Sequence, residues 1–256
     1  MSTAAVVVDP RMRSRRIEVR RDAARRRLRR ALAALSVVTV LVAVAAAVRS
    51  PLLDVDHVRA TAGEHTSARA IVAAAGVGHG DRMVGLDAGA VERRVESLPW
   101  VADARVERGW PGTVRIAIEE RTAAAAVAVG DTRWAEIDRS GRVVAFVDAA
   151  PDGLPRLSGV GGRIAEGEPL PVEAGEALAL VDALAEALPG GVAQVSTDLE
   201  ATLSYGGVVR FGSVDDLDAK VTALETVLAR VDLSCVASLD VSAPRSPALT
   251  RHEGCS

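Results

Sequence analysis

Apolar and polar positions follow two regimes along this chain. From Ala31 to Val48 the sequence ALAALSVVTVLVAVAAAV runs for eighteen residues without a charge. At about 1.5 Å rise per residue such a run makes a helix of roughly 27 Å, close to the ~30 Å hydrocarbon core of a bilayer. Its polar members, Ser36 and Thr39, can return their hydroxyls to the backbone of the preceding turn. Arg30 and Arg49 bracket the run, and their long side chains can reach the headgroups. A buried helix of a soluble domain would carry an amphipathic pattern, and this run has none. The pattern predicts a transmembrane helix over 31–48, with Ala31, Leu35, Val40, Leu41, Val44 and Val48 among its anchoring residues.

After Arg49-Ser50-Pro51 the pattern becomes that of a folded chain with short, punctuated elements. Val58, Ala60 and Ala62 alternate with Arg59 and Thr61, as a half-buried strand requires. Ser67 stands where an N-cap belongs, ahead of Ala68 to Ala75, and Gly76 is placed to end that helix. Gly80-Asp81 makes a turn. Asp87 can cap a second helix whose Val91, Val95 and Leu98 share one face, and Pro99 stops it. Two strands follow. Ala102, Ala104 and Val106 face one way in the first, and Val114, Ile116 and Ile118 in the second. Trp110-Pro111-Gly112-Thr113 turns the chain between them. The order strand, helix, helix, strand, strand predicts a small sheet covered on one side by two helices.

Residues 127 to 245 read mostly as strand. Trp134 to Asp138 and Val143 to Val147 flank a turn-rich loop, Asp138-Arg139-Ser140-Gly141. Leu203 to Phe211 turns at Gly206-Gly207 as a second hairpin. Pro171 to Leu188 carries the helical stripe Leu178, Val181, Leu184 and Leu188. A further helix is expected from Ser213, with Asp216 as its acidic third residue and the stripe Leu217, Val221, Leu224, Leu228 and Val231. Val236 to Ser242 is the last expected element. Beyond Pro244 the chain is short and polar, and a loose tail is expected.

Charge gives the apolar run a direction. Residues 1–30 hold eleven arginines against Asp9, Glu18 and Asp22. Cationic flanks stay cytoplasmic, so the amino terminus is expected inside and the bulk of the chain outside. The net charge of −3 conceals a basic tail and an acidic remainder. A cleaved signal peptide is the rival reading, since Ala45-Ala46-Ala47 offers small residues to a peptidase. Both the basic region and the apolar run exceed the signal-peptide pattern. Ser14-Arg15-Arg16 hints at a twin-arginine signal, but Glu18 and further arginines separate it from the apolar run. Arginine runs bind nucleic acid or anionic lipid; beside a transmembrane helix, contact with the lipids of the cytoplasmic membrane is the expectation, with no nucleic-acid partner.

The remaining ~205 residues are long enough for one or two ordinary cores. Aromatic residues make up only 2% of the chain, so those cores must be built from Val, Leu, Ala and Ile. Candidate chemistry is sparse. His57, His65, His79 and His252 show no metal-ligand spacing with Cys or acidic clusters. Gly76-Val77-Gly78-His79-Gly80 follows a helix instead of opening one, so it lacks the phosphate-cradling context. Gly-x-Ser-x-Gly and Ser-x-x-Lys nucleophile patterns are absent. Cys235 and Cys255 lie on the side expected to be oxidising, where they can form a disulfide or remain two thiols. No enzyme, cofactor, metal or small-molecule substrate is expected.

Three stretches carry a resemblance. Leu98-Pro99-Trp100-Val101, then Val106-Glu107-Arg108-Gly109-Trp110-Pro111, then Ile118-Glu119-Glu120-Arg121 resemble, in the same spacing, the POTRA domain of the FtsQ/DivIB family of bacterial cell division proteins. Trp134-Ala135-Glu136-Ile137-Asp138 with Ser140-Gly141-Arg142-Val143 is similar to the start of that family's β-rich second domain, and Leu239-Asp240-Val241 to its terminal strand. One departure is Thr122 leading into Ala123 to Ala126, where the family usually places a proline. Arginine is preferred throughout and Lys220 is the only lysine, which fits a GC-rich genome such as an actinobacterial one.

The resemblance implies an α+β protein: a single transmembrane helix, a POTRA domain (β-α-α-β-β), and a β-rich domain with one or two packed helices. The implied layout is a basic cytoplasmic tail (1–30), the anchor (31–48), POTRA (52–121), an FtsQ-type β domain (122–245) and a flexible tail (246–256). It implies a non-catalytic scaffold at the division septum that holds FtsB/DivIC-like and FtsL-like partners outside the cytoplasmic membrane. Strand addition to a sheet edge is the expected mechanism. The terminal strand residues Leu239, Asp240, Val241 and Ser242, with Ala243 and Pro244, are the expected edge. Trp110 either anchors the sheet–helix core or stays exposed as a contact for another division protein. Two other classes stand beside this one: a POTRA-type transport or chaperone component, and a membrane-anchored cell-wall enzyme.

Overall fold

A computed structural model describes residues 28–46 and 53–255. The basic tail up to residue 27, and Val48 of the expected anchor, lie outside the described residues. The chain divides into two compact units: Met1–His57 with Gly78–Leu86 and Arg108–Thr113, and Val58–Val77 with Asp87–Glu107 and Val114–Ser256.

The smaller unit contains helix α1 (Leu28–Ala46), which is long and apolar enough to cross a membrane. It begins three residues ahead of the uncharged run and so takes in Arg29 and Arg30. The Ser36 and Thr39 hydroxyls donate to the carbonyls of Leu32 and Leu35, at 2.8 and 2.9 Å. The same unit joins three short segments. Val55 N–H donates to Asp81 O (2.7 Å) and Gly80 N–H to Val55 O (2.9 Å), while Asp56 and His57 both donate to Gly112 O. Val55 and Met83, the latter in a 3-10 turn over Met83–Gly85, are fully buried. Gly112 is required at this meeting: a Cβ there would stand 2.8 Å from Asp54 O and collide with the Asp56 carboxylate.

The larger unit opens with the elements the alternation predicts. Strand β1 (His57–Ala60) leads to α2 (Ala68–Ala75), α3 (Ala88–Glu96), β2 (Val101–Gly109) and β3 (Thr113–Glu120), with strand order β1-β3-β2. Ser67 Oγ accepts from Ala70 N–H and Asp87 Oδ1 from Ala90 N–H, so both helices start on their expected caps, and Gly76 ends α2 in the left-handed region. Ile71, Ala75, Val91, Val95, Ala104, Val114 and Ile116 are buried. Ala102 is exposed, against expectation. The larger Val101 beside it takes the buried place.

The second sheet has nine strands: β4 (Ala123–Val129), β5 (Arg133–Asp138), β6 (Val143–Val147), β7 (Arg156–Ser158), β8 (Val192–Ser196), β9 (Glu200–Leu203), β10 (Val208–Arg210), β11 (Val236–Asp240) and β12 (Ala248–Arg251). Their order is β12-β11-β10-β9-β8-β7-β4-β5-β6. Three neighbouring pairs are parallel: β4 with β7, β7 with β8, and β10 with β11. A parallel pair needs a crossover, usually a helix. Here α4 (Gly175–Ala187) lies in the chain between β7 and β8, and α5 (Leu217–Leu228) between β10 and β11. Leu178, Leu180, Val181 and Leu184 of α4 and Leu224 and Leu228 of α5 join Val127, Ile137, Val195, Val209, Phe211 and Leu239 in one core. At about 1.5–3 kcal/mol for each large aliphatic side chain, this burial is the main force holding the domain together.

Three expectations are corrected. Helix α5 begins at Leu217 and not at Ser213, because Asp216 takes a left-handed conformation (φ 52°) and makes no cap bond. The Ser213 hydroxyl instead accepts from the buried Lys220 Nζ (3.0 Å), which also donates to the carbonyls of Phe211 and Ser213. The terminal segment 246–256, expected to be loose, contains β12, paired antiparallel with β11. Consequently β11 is an interior strand, flanked by β10 and β12. The proposed edge residues Leu239 and Val241 are fully buried, and Val241 N–H already donates to Arg210 O.

Candidate functional site

The outermost strand on this side is β12. It pairs with β11 through Asp240↔Ala248, Leu239↔Leu249 and Ser238↔Thr250, with a bulge before Val236↔Arg251. Ala248, Thr250 and Arg251 are exposed and Leu249 packs partly against the core. In an antiparallel ladder the edge strand turns alternate N–H and C=O groups outward, where a further strand can bond to them.

Four residues make a short strand, and two devices hold it. Beyond its end, Cys255 is bonded to Cys235, which immediately precedes β11, and His252 N–H donates to Cys235 O (3.0 Å). At the other end the connection is pinned by Asp240, whose Oδ1 accepts from the Ser242 hydroxyl (2.6 Å) and backbone N–H (2.9 Å). These two bonds, with Arg210 nearby, hold the Asp240 carboxyl below the usual aspartate range against a small opposing effect of burial. Ser242 and Ala243 are exposed in this connection, and Pro244 is half-buried. Pro244, Arg245 and Pro247 also line one wall of an open groove of about 720 Å³, with Thr222, Thr226 and Val227 of α5 opposite. The edge and the groove therefore adjoin.

The motif residues that carried the resemblance gather elsewhere, where β3 passes into β4. Arg121 Nη1 bonds to Asp138 Oδ2 at 2.6 Å, with both side chains largely buried, and its Nε donates to Val101 O. Asp138 Oδ1 accepts from the Ser140 N–H and hydroxyl and from Arg142 N–H. Burial pushes the Asp138 pKa up; the bonds from Ser140, Arg121 and Arg142 and the Arg121 charge outweigh it and hold the carboxyl below its ordinary value. Arg142 reaches back to Ser97 O (3.0 Å). Glu120 accepts backbone N–H groups from Glu64, His65 and Thr66. Burial acts to raise its pKa as well, and these bonds lower it on balance. Trp100 stacks on His65, with ring centroids 3.8 Å apart. Trp110 belongs to the smaller unit and is 56% exposed.

Sequence reasoning named Glu120, Arg121, Asp138 and Ser140 as motif letters without seeing that Arg121 and Asp138 bond to each other. It missed β12 altogether. The available signal was the cysteine pair, which only makes sense if the tail returns to the start of β11. Among the described residues no group of three His, Cys, Asp or Glu could hold a metal ion.

A three-stranded sheet reached through two helices, followed by a mixed sheet with an open edge strand, defines a POTRA-containing protein of the α+β class. The family model for the POTRA domain, FtsQ-type, matches residues 53–121. The chain is similar to the cell division protein FtsQ of Corynebacterium glutamicum, 27% identical over 197 residues covering 76% of this chain and 88% of that protein. It is 32% identical over 189 residues to the cell division protein FtsQ of Caulobacter vibrioides, covering 69% and 59%. The cell division protein FtsQ of Streptomyces bingchenggensis is 29% identical over 184 residues, covering 69% and 68%. The chain thus carries an FtsQ-type POTRA domain and is similar to cell division proteins FtsQ of several bacteria over much of its length.

Proposed function

We propose that this protein is a non-catalytic, membrane-anchored scaffold of the septal division complex. In this reading α1 anchors it with the amino terminus in the cytoplasm, and the folded part outside holds FtsB/DivIC-like and FtsL-like partners by adding a partner strand to β12. The observation that carries it is the position of β12: outermost in the sheet, exposed, and tied down at both ends. This moves the contact from the expected Leu239–Ser242 strand to its neighbour, with Ser242, Ala243 and Pro244 beside the site. Main-chain bonds would supply affinity, and alternate side chains, Ala248 and Thr250 or Leu249 and Arg251, specificity. Anchoring raises the effective concentration of partners sharing the membrane, so a modest interface suffices.

The test is copurification of the full chain with FtsB-like and FtsL-like proteins, comparing wild type with Thr250→Pro and Thr250→Lys. Proline obstructs the ladder and an edge lysine resists addition. Loss of binding in both variants, with unchanged circular dichroism, is the expected result. Binding that survives both would move the interface off β12, and a wild type that captures neither partner would overturn the scaffold reading.

A further inference from the structure

Among the described residues outside α1, four large apolar side chains are exposed: Val84, Trp110, Val172 and Leu233. Two of them sit in the smaller unit, at 43% exposure for Val84 and 56% for Trp110. The hydrogen bonds already described bring their segments together. Residues 54–57 lie in the middle, bonded on one side to Gly80–Arg82 and on the other to Gly112. Val84 is two residues from the first contact, and Trp110 two residues from the second.

The middle segment is also the one that arrives from the anchor. Seven residues lie between Val48 and Asp56, and the eight steps from one to the other span at most about 28 Å. The end of the apolar run and the exposed indole are thus joined by a short tether. An indole combines an apolar body with a polar N–H and is enriched at the membrane–water interface for that reason. Arg82 and Arg108 are exposed nearby, but Asp54, Asp56 and Asp81 offset them, so net charge does not drive a contact here.

We propose that this tip, with Trp110 and Val84 exposed on the segments that flank residues 54–57, rests in the headgroup layer of the bilayer that holds α1. The proposal rests on the reading of α1 as a membrane anchor. Seating the tip would give the folded part a second point of attachment and set its distance from the membrane surface, which a single anchoring helix does not fix.

The experiment uses the full chain in nanodiscs of phosphatidylcholine and phosphatidylglycerol, with and without acyl chains brominated close to the headgroup. Tryptophan emission is compared between wild type and Trp110→Phe, with circular dichroism as the check on folding. Brominated lipid is expected to quench part of the wild-type emission, and Trp110→Phe to remove that quenchable part, leaving Trp100 and Trp134 unaffected; 0.5 M salt should not change the result. Quenching equal in both proteins, or absent from the wild type, overturns the proposal. If Trp110→Phe instead loses a division partner while the wild type shows no quenching, the tip is a protein contact and the lipid proposal fails. A chain that does not stay with the nanodisc on size exclusion sinks the anchor reading and this inference together, whereas a chain that stays but leaves Trp110 unquenched sinks this inference alone.

Discussion

The two edges of the nine-stranded sheet are held in different ways. At one end, β6 begins under cover: Val143 N–H donates to Glu168 O, Gly167 N–H donates to Val143 O, and Arg142 pairs with Pro169. Its residues are buried or half-buried, and Arg133 lies over the Phe146 ring at 4.6 Å. Its neighbour β5 ends at Asp138, whose bond to Arg121 fixes this end of the sheet to the strand that precedes it. At the other end β12 is exposed, and what holds it comes from its own hairpin: the disulfide and the Asp240–Ser242 bonds. An edge that must never pair is covered by loop and charge. An edge kept open must be held flat by something that does not occupy its outward face, and a disulfide does that.

The contrast can be broken from the covered end first. Asp138→Asn removes the charge facing a buried arginine, and breaking a buried pair from one side costs about 3–5 kcal/mol. Urea unfolding should show that loss. The acid response should change with it. Because the folded-state pKa of Asp138 lies below the unfolded value, its stabilisation is complete above about pH 4 and is lost as pH falls through the lower folded value. Wild type should therefore lose stability on acidification below pH ~4, and the variant should show a flatter acid limb.

The open end comes next. Replacing Cys235 and Cys255 by serine opens a loop with a sequence separation of 20, an effect of about 3 kcal/mol in the chain-entropy account. The consequence should be local: faster amide exchange in β12 and weaker partner capture, with exchange in β5 and β6 unchanged. Equal acceleration at both edges would show that the disulfide supports the whole sheet and that the contrast is false. Smallest is Arg133→Ala, which loses the cation–π contact over Phe146, about 0.5–1 kcal/mol at an exposed site. A slight fall in melting temperature with unchanged partner binding is expected, since the proposed receiving edge is β12.

Legibility in the sequence followed the range of the interactions involved. The caps Ser67 and Asp87, the stop at Gly76, the β2–β3 and β5–β6 hairpins and the apolar helix are local: the residues that cause them lie within a few positions of their effects. Their spacing is visible in one dimension. The start of α5 was misread because Ser213 has the chemistry of a cap, yet its hydroxyl is taken by Lys220, seven residues further on. The expected edge failed for a similar reason. Val236–Ser242 is apolar enough for a strand, but apolarity does not tell a terminal strand from a penultimate one.

By itself, then, the sequence determined the periodic elements, the uncharged helix, the family motifs and the α+β class, because each depends on residue type at short spacing. Only the tertiary structure decided which strands lie side by side: the parallel crossovers through α4 and α5, the meeting of Arg121 with Asp138, and the return of the tail as β12. Those pairings depend on how segments tens of residues apart bury a shared core. Backbone hydrogen bonds between strands carry no side-chain code, so packing and one disulfide chose the edge.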